Sequence, residues 1–386
     1  MSHIQIHGTR SGNRLGERSH SYSMKTKKIG GQSKPLPQLH LVDFFCGAGG
    51  MSYGLHSAGF KVLAGIDNNE ECKKTYESNV SGARFINHDI AKLTAKKLAA
   101  LLELNRGDPN LVFAGCSPCQ FWSKIRTDKT KSQQSAFLLK NFQRFIRQLR
   151  PGFVIVENVP GLHSNKEQSI LPEFLAFLSK LGYAFDDGIV NANHFGVPQN
   201  RMRYLLIASR LTKNVTLPVP QRTDELVVRR FLGVANGFSA IAAGHKDQSS
   251  FQHSAAALSA DNMRRMKLTP PSGGDRSSWK NRADLQIPAY EGKDEIFRDV
   301  YARMYWDRPA PTITTRFMSF SNGRFGHPDE NRAISIREGA TLQTFPKSFE
   351  FFGSSQTSVA KQIGNAVPPE LAKRIGQHLM AVAVSG

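Results

Sequence analysis

The sequence predicts an α/β protein: a parallel sheet built from βαβ units, joined to a second, smaller and irregular domain. From Leu41 to about residue 210, short apolar runs alternate with amphipathic stretches, the pattern of parallel strands linked by crossover helices. Beyond that point the alternation fails. Residues 204–282 are polar and rich in Gly, Ser and Pro, with twelve Lys/Arg against five acids. A chain of 386 residues also has room for two domains, or for one large domain with an insertion.

In chain order, residues 1–38 hold seven basic residues (Arg10, Arg14, Arg18, Lys25, Lys27, Lys28 and Lys34) and one acid, Glu17. They show no periodicity and read as a disordered basic arm. LVDFF (41–45), KVLAGID (61–67), ARFIN (83–87), LVFAG (111–115), FVIVEN (153–158) and RYLLIAS (203–209) read as strands. Between them, 69–79, 94–104, 134–149 and 168–181 read as helices. The third places Leu138, Phe142, Phe145, Ile146 and Leu149 on one face. Gly182 stands where a C-terminal cap glycine belongs. Order returns with PTITTRF (311–317), and a final helix runs from about Pro369 to Val384. The expected divisions are therefore an arm over 1–38, an α/β body over 39–210, an irregular domain over 211–305, and a return to the body over 306–386.

Composition narrows the function. With 40% hydrophobic and 21% charged residues the chain is ordinarily globular. No apolar run is long enough to span a bilayer, so no membrane is expected. Residues 1–30 lack the apolar core of a secretory signal. Four cysteines are too few for a disulfide scaffold and point to a reducing, intracellular setting. The net charge of +20 favours a polyanionic partner, nucleic acid being the commonest.

Several motifs then fall at strand ends. The first strand runs into Asp43-Phe44-Phe45-Cys46-Gly47-Ala48-Gly49-Gly50 and a helix follows. Such a turn lets a ligand approach the backbone closely. Asp67 ends the next strand 20 residues after Gly47, where an acid can hydrogen-bond a ribose diol. The spacing is G-x-G-G, and no Walker lysine follows, which favours an adenosine ligand without a pyrophosphate, S-adenosylmethionine above all. A tight structural turn is the plainer alternative. The fourth strand runs into Gly115-Cys116-Ser117-Pro118-Cys119-Gln120. Zinc would need two further ligands, and Cys46 and Cys72 lack matching spacing, so no metal is expected. A redox pair, two buried structural cysteines and a single reactive thiolate are the remaining readings, and the Pro-containing polar loop suits the thiolate. Glu157-Asn158-Val159 brings another acid to a strand end. Gln199-Asn200-Arg201-Met202-Arg203 places two arginines on one side of an extended segment.

The blocks DFFCGAGG, GCSPCQ, ENV, QNRMR, REGATLQTFP (337–346) and GNAVPPELA (364–372) resemble, in order and spacing, those of the DNA (cytosine-5) methyltransferases of bacterial restriction-modification systems. The resemblance covers roughly nine-tenths of the chain. It implies a Rossmann-like, S-adenosylmethionine-dependent catalytic domain, a small target-recognition domain in the irregular region, and a last helix that completes the cofactor site. Asp67 stands where many members have Glu, which still offers a carboxylate.

The resemblance also assigns roles. Cys119 is the nucleophile that attacks carbon 6 of a flipped-out cytosine. Glu157 meets ring nitrogen 3 and the exocyclic amine, Arg203 meets the carbonyl oxygen, and Arg201 steadies Cys119 or its loop. Phe45, Gly47, Gly49, Gly50, Asp67, Asp89, Pro118, Asn365 and Val367 are expected around the cofactor, with Phe45 stacked on adenine and Asp89 on its exocyclic amine. Gln120, Asn158 and Gln199 are expected against the substrate. The implied partner is duplex DNA, the implied protein a cytoplasmic, nucleoid-associated monomer with a genetically paired restriction endonuclease. A tRNA cytosine methyltransferase would share the catalytic blocks. A non-catalytic DNA-binding protein would not need ENV and QNRMR intact.

Overall fold

The structure is a computed structural model that describes residues 37–116, 129–164, 170–293 and 296–385. The basic arm up to residue 36, and Pro118, Cys119 and Gln120, lie outside the described residues.

The first half alternates as expected: β1 (His40–Phe44), α1 (Gly50–Ser57), β2 (Lys61–Asp67), α2 (Lys73–Asn79), β3 (Arg84–Asn87), α3 (Ala95–Leu102), β4 (Leu111–Gly115), α4 (Lys129–Leu149) and β5 (Phe153–Asn158). Then come α5 (Gly161–Ser164), α6 (Leu171–Lys180), β6 (Ala184–Asn191), β7 (Gln199–Asn200) and β8 (Met202–Ser209). The second half is sparser: α7 (Ala260–Leu268), β9 (Ala310–Pro311), α8 (Ile336–Leu342), α9 (Gln356–Asn365) and α10 (Pro369–Ser385).

Seven strands form one sheet in the order β3-β2-β1-β4-β5-β8-β6. The first five neighbours pair in parallel, while β8 runs antiparallel to both β5 and β6. The expected strand at 41–45 stops one residue early, because Phe45 turns into the left-handed region at φ 63°. The expected helix over 69–79 divides into a 3-10 turn, Glu70–Cys72, capped by Asn69, followed by α2. Strand β6 has no counterpart in the apolar pattern. Its AFDDGIVN sequence is half-exposed along an edge, and it carries Asp and Gly, which suit strands poorly. Pairing along all eight residues with β8 holds it there.

Strand residues alternate strictly between two cores. Along β5, Phe153 and Ile155 enter one layer, while Val154 and Val156 enter the other. Along β8, Leu205 and Ile207 go with the first pair, and Leu206 and Ala208 with the second. Both faces are covered, as parallel sheets require. One layer is closed by residues of α1, α2 and α10, and the other by residues of α3, α4 and α6. In the second layer Phe44 meets Phe113, Phe142 and Phe145 at centroid distances of 5.1, 5.0 and 5.0 Å.

A third core gathers Val228, Leu232 and Phe238 with Met304, Phe317, Ile336, Phe345 and Ile363. It spans residues on both sides of position 305. Buried arginines organise this region in place of regular strands. Arg303 donates to the carbonyls of Met266, Thr269, His327 and Glu330. Arg332 forms a fully buried, two-pronged ion pair with Glu338 at 2.6 and 2.9 Å. Glu338 also closes a capping box with Ser335 at the start of α8. Paired with Arg332, its carboxyl is held down at about 2 despite burial.

Candidate functional site

The carboxyl ends of parallel strands form the edge where ligands bind in open α/β sheets. Here that edge carries the ends of β1, β2, β4 and β5. Because β8 is reversed, its beginning lies at the same edge. Asn158 at the end of β5 is registered opposite Tyr204 near the start of β8.

The turn after β1 is built around Asp67. Its carboxylate accepts the Gly47 N–H at 2.9 Å and the Asn69 N–H at 2.8 Å. Phe45 and Cys46 both donate their N–H groups to the Ile66 carbonyl, at 2.8 and 3.1 Å. These bonds over-determine a strained backbone, since a bulky residue in the left-handed region is costly. The strain leaves the Phe45 ring half-buried at the sheet edge. A side chain at Gly47 would meet no atom within 4 Å, so the turn opens on free space there. Burial raises the Asp67 carboxyl above its usual range, against the pull of its backbone partners.

Gly49 and Gly50 serve packing. A Cβ at Gly49 would sit 2.9 Å from the Tyr76 ring, and one at Gly50 only 2.2 Å from the Val367 carbonyl oxygen. The same holds one turn on, where Gly54 faces the Pro369 carbonyl at 2.3 Å. The segment after α9 is thereby pressed onto the first turn of α1, with Val367 buried and Asn365, the last residue of α9, exposed. Asp89 accepts the Ala91 N–H at 2.9 Å, an ordinary turn-capping bond alongside its expected ligand role.

Below this turn lies a triad that the sequence reading did not single out. Ser52 donates to Asp43 Oδ2 at 2.7 Å, and the Ser52 and Tyr76 hydroxyls lie 2.8 Å apart. Asp43 is fully buried, and among the described residues its Oδ1 has no hydrogen-bond partner. Burial pushes its carboxyl up to about 7, Ser52 opposing and nearby Asp67 reinforcing the shift. Asp43 stands within the quoted DFFCGAGG block, so the signal was present in its position at the end of an apolar strand.

At the other half of the edge, Arg203 Nε lies 3.0 Å from Glu157 Oε1. Asn158 is buried, and its side-chain oxygen accepts the Val159 N–H at 2.7 Å. Cys116, beside them at the end of β4, donates its N–H to the Phe44 carbonyl at 3.3 Å. Among the described residues no cluster of His, Cys, Asp and Glu could hold a metal ion.

Two expected site residues turn inward. Gln199 is fully buried, donating to Leu342 O at 2.9 Å and Gln343 Oε1 at 2.8 Å while accepting the Ile313 N–H at 3.0 Å. Its amide is thus engaged within the protein, in place of the expected substrate contact. Arg201 is also buried, and its guanidinium donates to the carbonyls of Ile313, Gly364 and Ala366 at 3.0, 3.3 and 3.0 Å. It steadies the end of α9 and the residue after it; the expected link to Cys119 or its loop falls outside the described residues. Burial lowers its proton affinity most, the Arg203 charge lowers it further, and Glu157 opposes both.

Comparisons with known proteins bear on the family of the chain. A family model described as C-5 cytosine-specific DNA methylase matches residues 39–381. The chain is 38% identical over 345 residues to the Type II methylase M.HgiDII of Herpetosiphon aurantiacus, covering 88% of this chain and 94% of that one. It is 30% identical over 355 residues to the Type II methyltransferase M1.BsuMI of Bacillus subtilis, covering 88% and 80%. A solved E. coli prophage protein, described as a DNA modification methyltransferase, shares the fold with a TM-score of 0.68 at 22% identity, covering 90% of this chain and 100% of that one. The matched span takes in the whole sheet, both buried arginine clusters and all the edge residues above, and on that ground the chain belongs to the C-5 cytosine-specific DNA methylase family.

Proposed function

We propose that the chain methylates carbon 5 of a flipped-out cytosine in a specific sequence of duplex DNA, using S-adenosylmethionine and a covalent Cys119 adduct. The observation that carries this reading is the Arg203–Glu157 pair at 3.0 Å on the edge that also bears the Asp67-held turn. One half offers a cation and a carboxylate to a pyrimidine ring. The other offers an acid, an aromatic face and an open glycine turn to an adenosine.

The donor set suits that cofactor. Asp67 presents a carboxylate suited to a ribose diol, Phe45 a half-buried ring for adenine, and Asp89 a carboxylate for its amine. Asn365 and Val367 border the turn from the C-terminal side, and the unpartnered Asp43 oxygen lies beneath it. When bound, S-adenosylmethionine supplies an electrophilic methyl group to carbon 5.

The residues prepare the base. Duplex stacking hides carbon 6, so the cytosine must leave the helix. The Cys119 thiolate then forms a bond to carbon 6, making carbon 5 nucleophilic. Arg203 faces the carbonyl oxygen, where negative charge grows, and Glu157 bonds nitrogen 3 and the exocyclic amine. Once carbon 5 carries the methyl group, its proton passes to solvent water, the bond from carbon 6 to Cys119 breaks, and the thiolate leaves with the ring restored. Gln120 and Pro118 flank the nucleophile, and residues 211–305 are the proposed reader of the target sequence. The relatives named Type II methylases suggest a restriction-modification setting, with a paired endonuclease, for this cytoplasmic protein.

The test uses plasmid duplex substituted throughout with 5-fluorocytosine, whose carbon-5 fluorine cannot leave as a proton does. The wild type with S-adenosylmethionine should stay covalently attached, Cys116→Ser likewise, and Cys119→Ser should not. An adduct in Cys119→Ser sinks the proposal.

A further inference from the structure

Helix α9 is held at both ends by charges that complement its dipole. At its start Ser355 caps the Ser358 N–H at 3.2 Å, and the Glu71 carboxylate accepts from the hydroxyls of Ser354 and Ser358. Glu71 belongs to the turn immediately after Asp67. At its finish the last carbonyls have no helical donors of their own. Gln343 donates to Ile363 O at 2.7 Å, and Arg201 donates to Gly364 O and Ala366 O. An anion thus sits at the positive end and a cation at the negative end.

The cation is costly. Arg201 is 2% exposed, and burial lowers its proton affinity well below the usual arginine range. A buried polar chain accompanies it: Gln199 donates to Gln343 Oε1 at 2.8 Å, and Gln343 donates on to Ile363 O at 2.7 Å. What this arrangement fixes is the register of Gly364–Val367, the stretch that exposes Asn365 and presses Val367 against Gly50.

We propose that Arg201, assisted by Gln343, is a positioning residue for the cofactor: it aligns the Gly364–Val367 arm, while Arg203 two residues later serves the target base. The proposal rests on the methyltransferase reading above. It divides between two neighbouring arginines the work that their shared QNRMR segment makes look alike. A lysine at position 201 lacks the planar fork that reaches separate carbonyls.

The experiment measures S-adenosylhomocysteine binding calorimetrically on the full chain, together with steady-state methylation of unmethylated plasmid DNA. Arg201→Lys should weaken S-adenosylhomocysteine about tenfold, a usual size for a lost charge-assisted hydrogen bond. Its loss of kcat/KM for S-adenosylmethionine should come chiefly through KM. Arg203→Lys should do the reverse, keeping cofactor affinity and losing kcat. Unchanged S-adenosylhomocysteine affinity in Arg201→Lys, or a kcat loss matching that of Arg203→Lys, overturns the assignment. If Arg201→Lys shows no cooperative unfolding transition, Gln343→Met decides: a smaller shift of the same kind supports the assignment, and unchanged cofactor affinity rejects it. A wild type that neither binds S-adenosylhomocysteine nor transfers methyl groups would sink the methyltransferase reading itself, a result distinguishable from either.

Discussion

Glu157 and Arg203 meet at 3.0 Å although they come from strands of opposite direction, with side chains only 9% and 11% exposed. Glu157 is the penultimate residue of β5 and Arg203 the second of β8, so strand reversal brings a carboxylate and a guanidinium to one rim. Glu157→Gln keeps the shape and can still donate through its amide, but it has no proton to share with the base. Single-turnover methylation of saturating duplex should fall by roughly 10²–10⁴-fold, the range for general acid catalysis. Methylation within a few-fold of wild type would assign Glu157 to holding the loop.

Asp67 closes the turn through Gly47 and Asn69, and it is the proposed partner of the cofactor ribose. Asp67→Ala should weaken S-adenosylmethionine binding by about 1.5–3 kcal/mol, as for other hydrogen bonds to a charged group. Binding of the protein to plasmid DNA should stay within a few-fold. Calorimetry with unaltered cofactor affinity would reject the role.

The buried Asp43 carboxyl predicts a pH dependence of stability. Its folded value of about 7 lies above the ordinary 3.8, so the native state holds a proton that the unfolded chain releases. Between those two values stability must fall as pH rises, by at most about 1.4 kcal/mol per pH unit, and the loss is complete above about 7. Asp43→Asn keeps an acceptor for Ser52 and removes the titration. Urea unfolding at pH 5 and pH 8 should show that the variant loses this slope and gains on the wild type at the higher pH. Parallel slopes in the two proteins would show that Asp43 does not titrate in this window.

Arg332 and Glu338 are both fully buried, so each depends on the other. Arg332→Met leaves the Glu338 charge stranded and should cost about 3–5 kcal/mol by urea unfolding. Replacing both, Arg332→Met with Glu338→Leu, should recover much of that loss. A double variant as unstable as the sum of the single ones would mean that the two groups act independently.

Much of the sheet was legible because burial on both faces writes continuous apolar runs. KVLAGID, LVFAG and FVIVEN coincide with β2, β4 and β5 residue for residue. Strand β6 was not, since an edge needs neither apolar continuity nor good strand formers, only a partner. Helices α7, α8 and α9 were missed for another reason: buried arginines and capping serines hold them in a domain that hydrophobic periodicity does not describe. At the candidate site, the turn held by Asp67 and the place of Glu157 near a strand end were legible as positions in the fold. The inward bonds of Gln199 and Arg201 were not legible, because an extended segment reveals which side a residue faces, while saying nothing of the carbonyls that wait there 112 to 165 positions later.

The contact of α1 with α10 has a consequence for biosynthesis. Gly50 and Gly54 leave a groove on the first helix that is filled by the backbone at Val367 and Pro369. During translation that groove forms early and waits through some three hundred residues for its occupant, a contact of very high sequence separation. The nascent chain can pair its parallel strands long before the pocket has its far wall. The wall that packs against the first turn of α1 is therefore completed only once synthesis has reached Pro369.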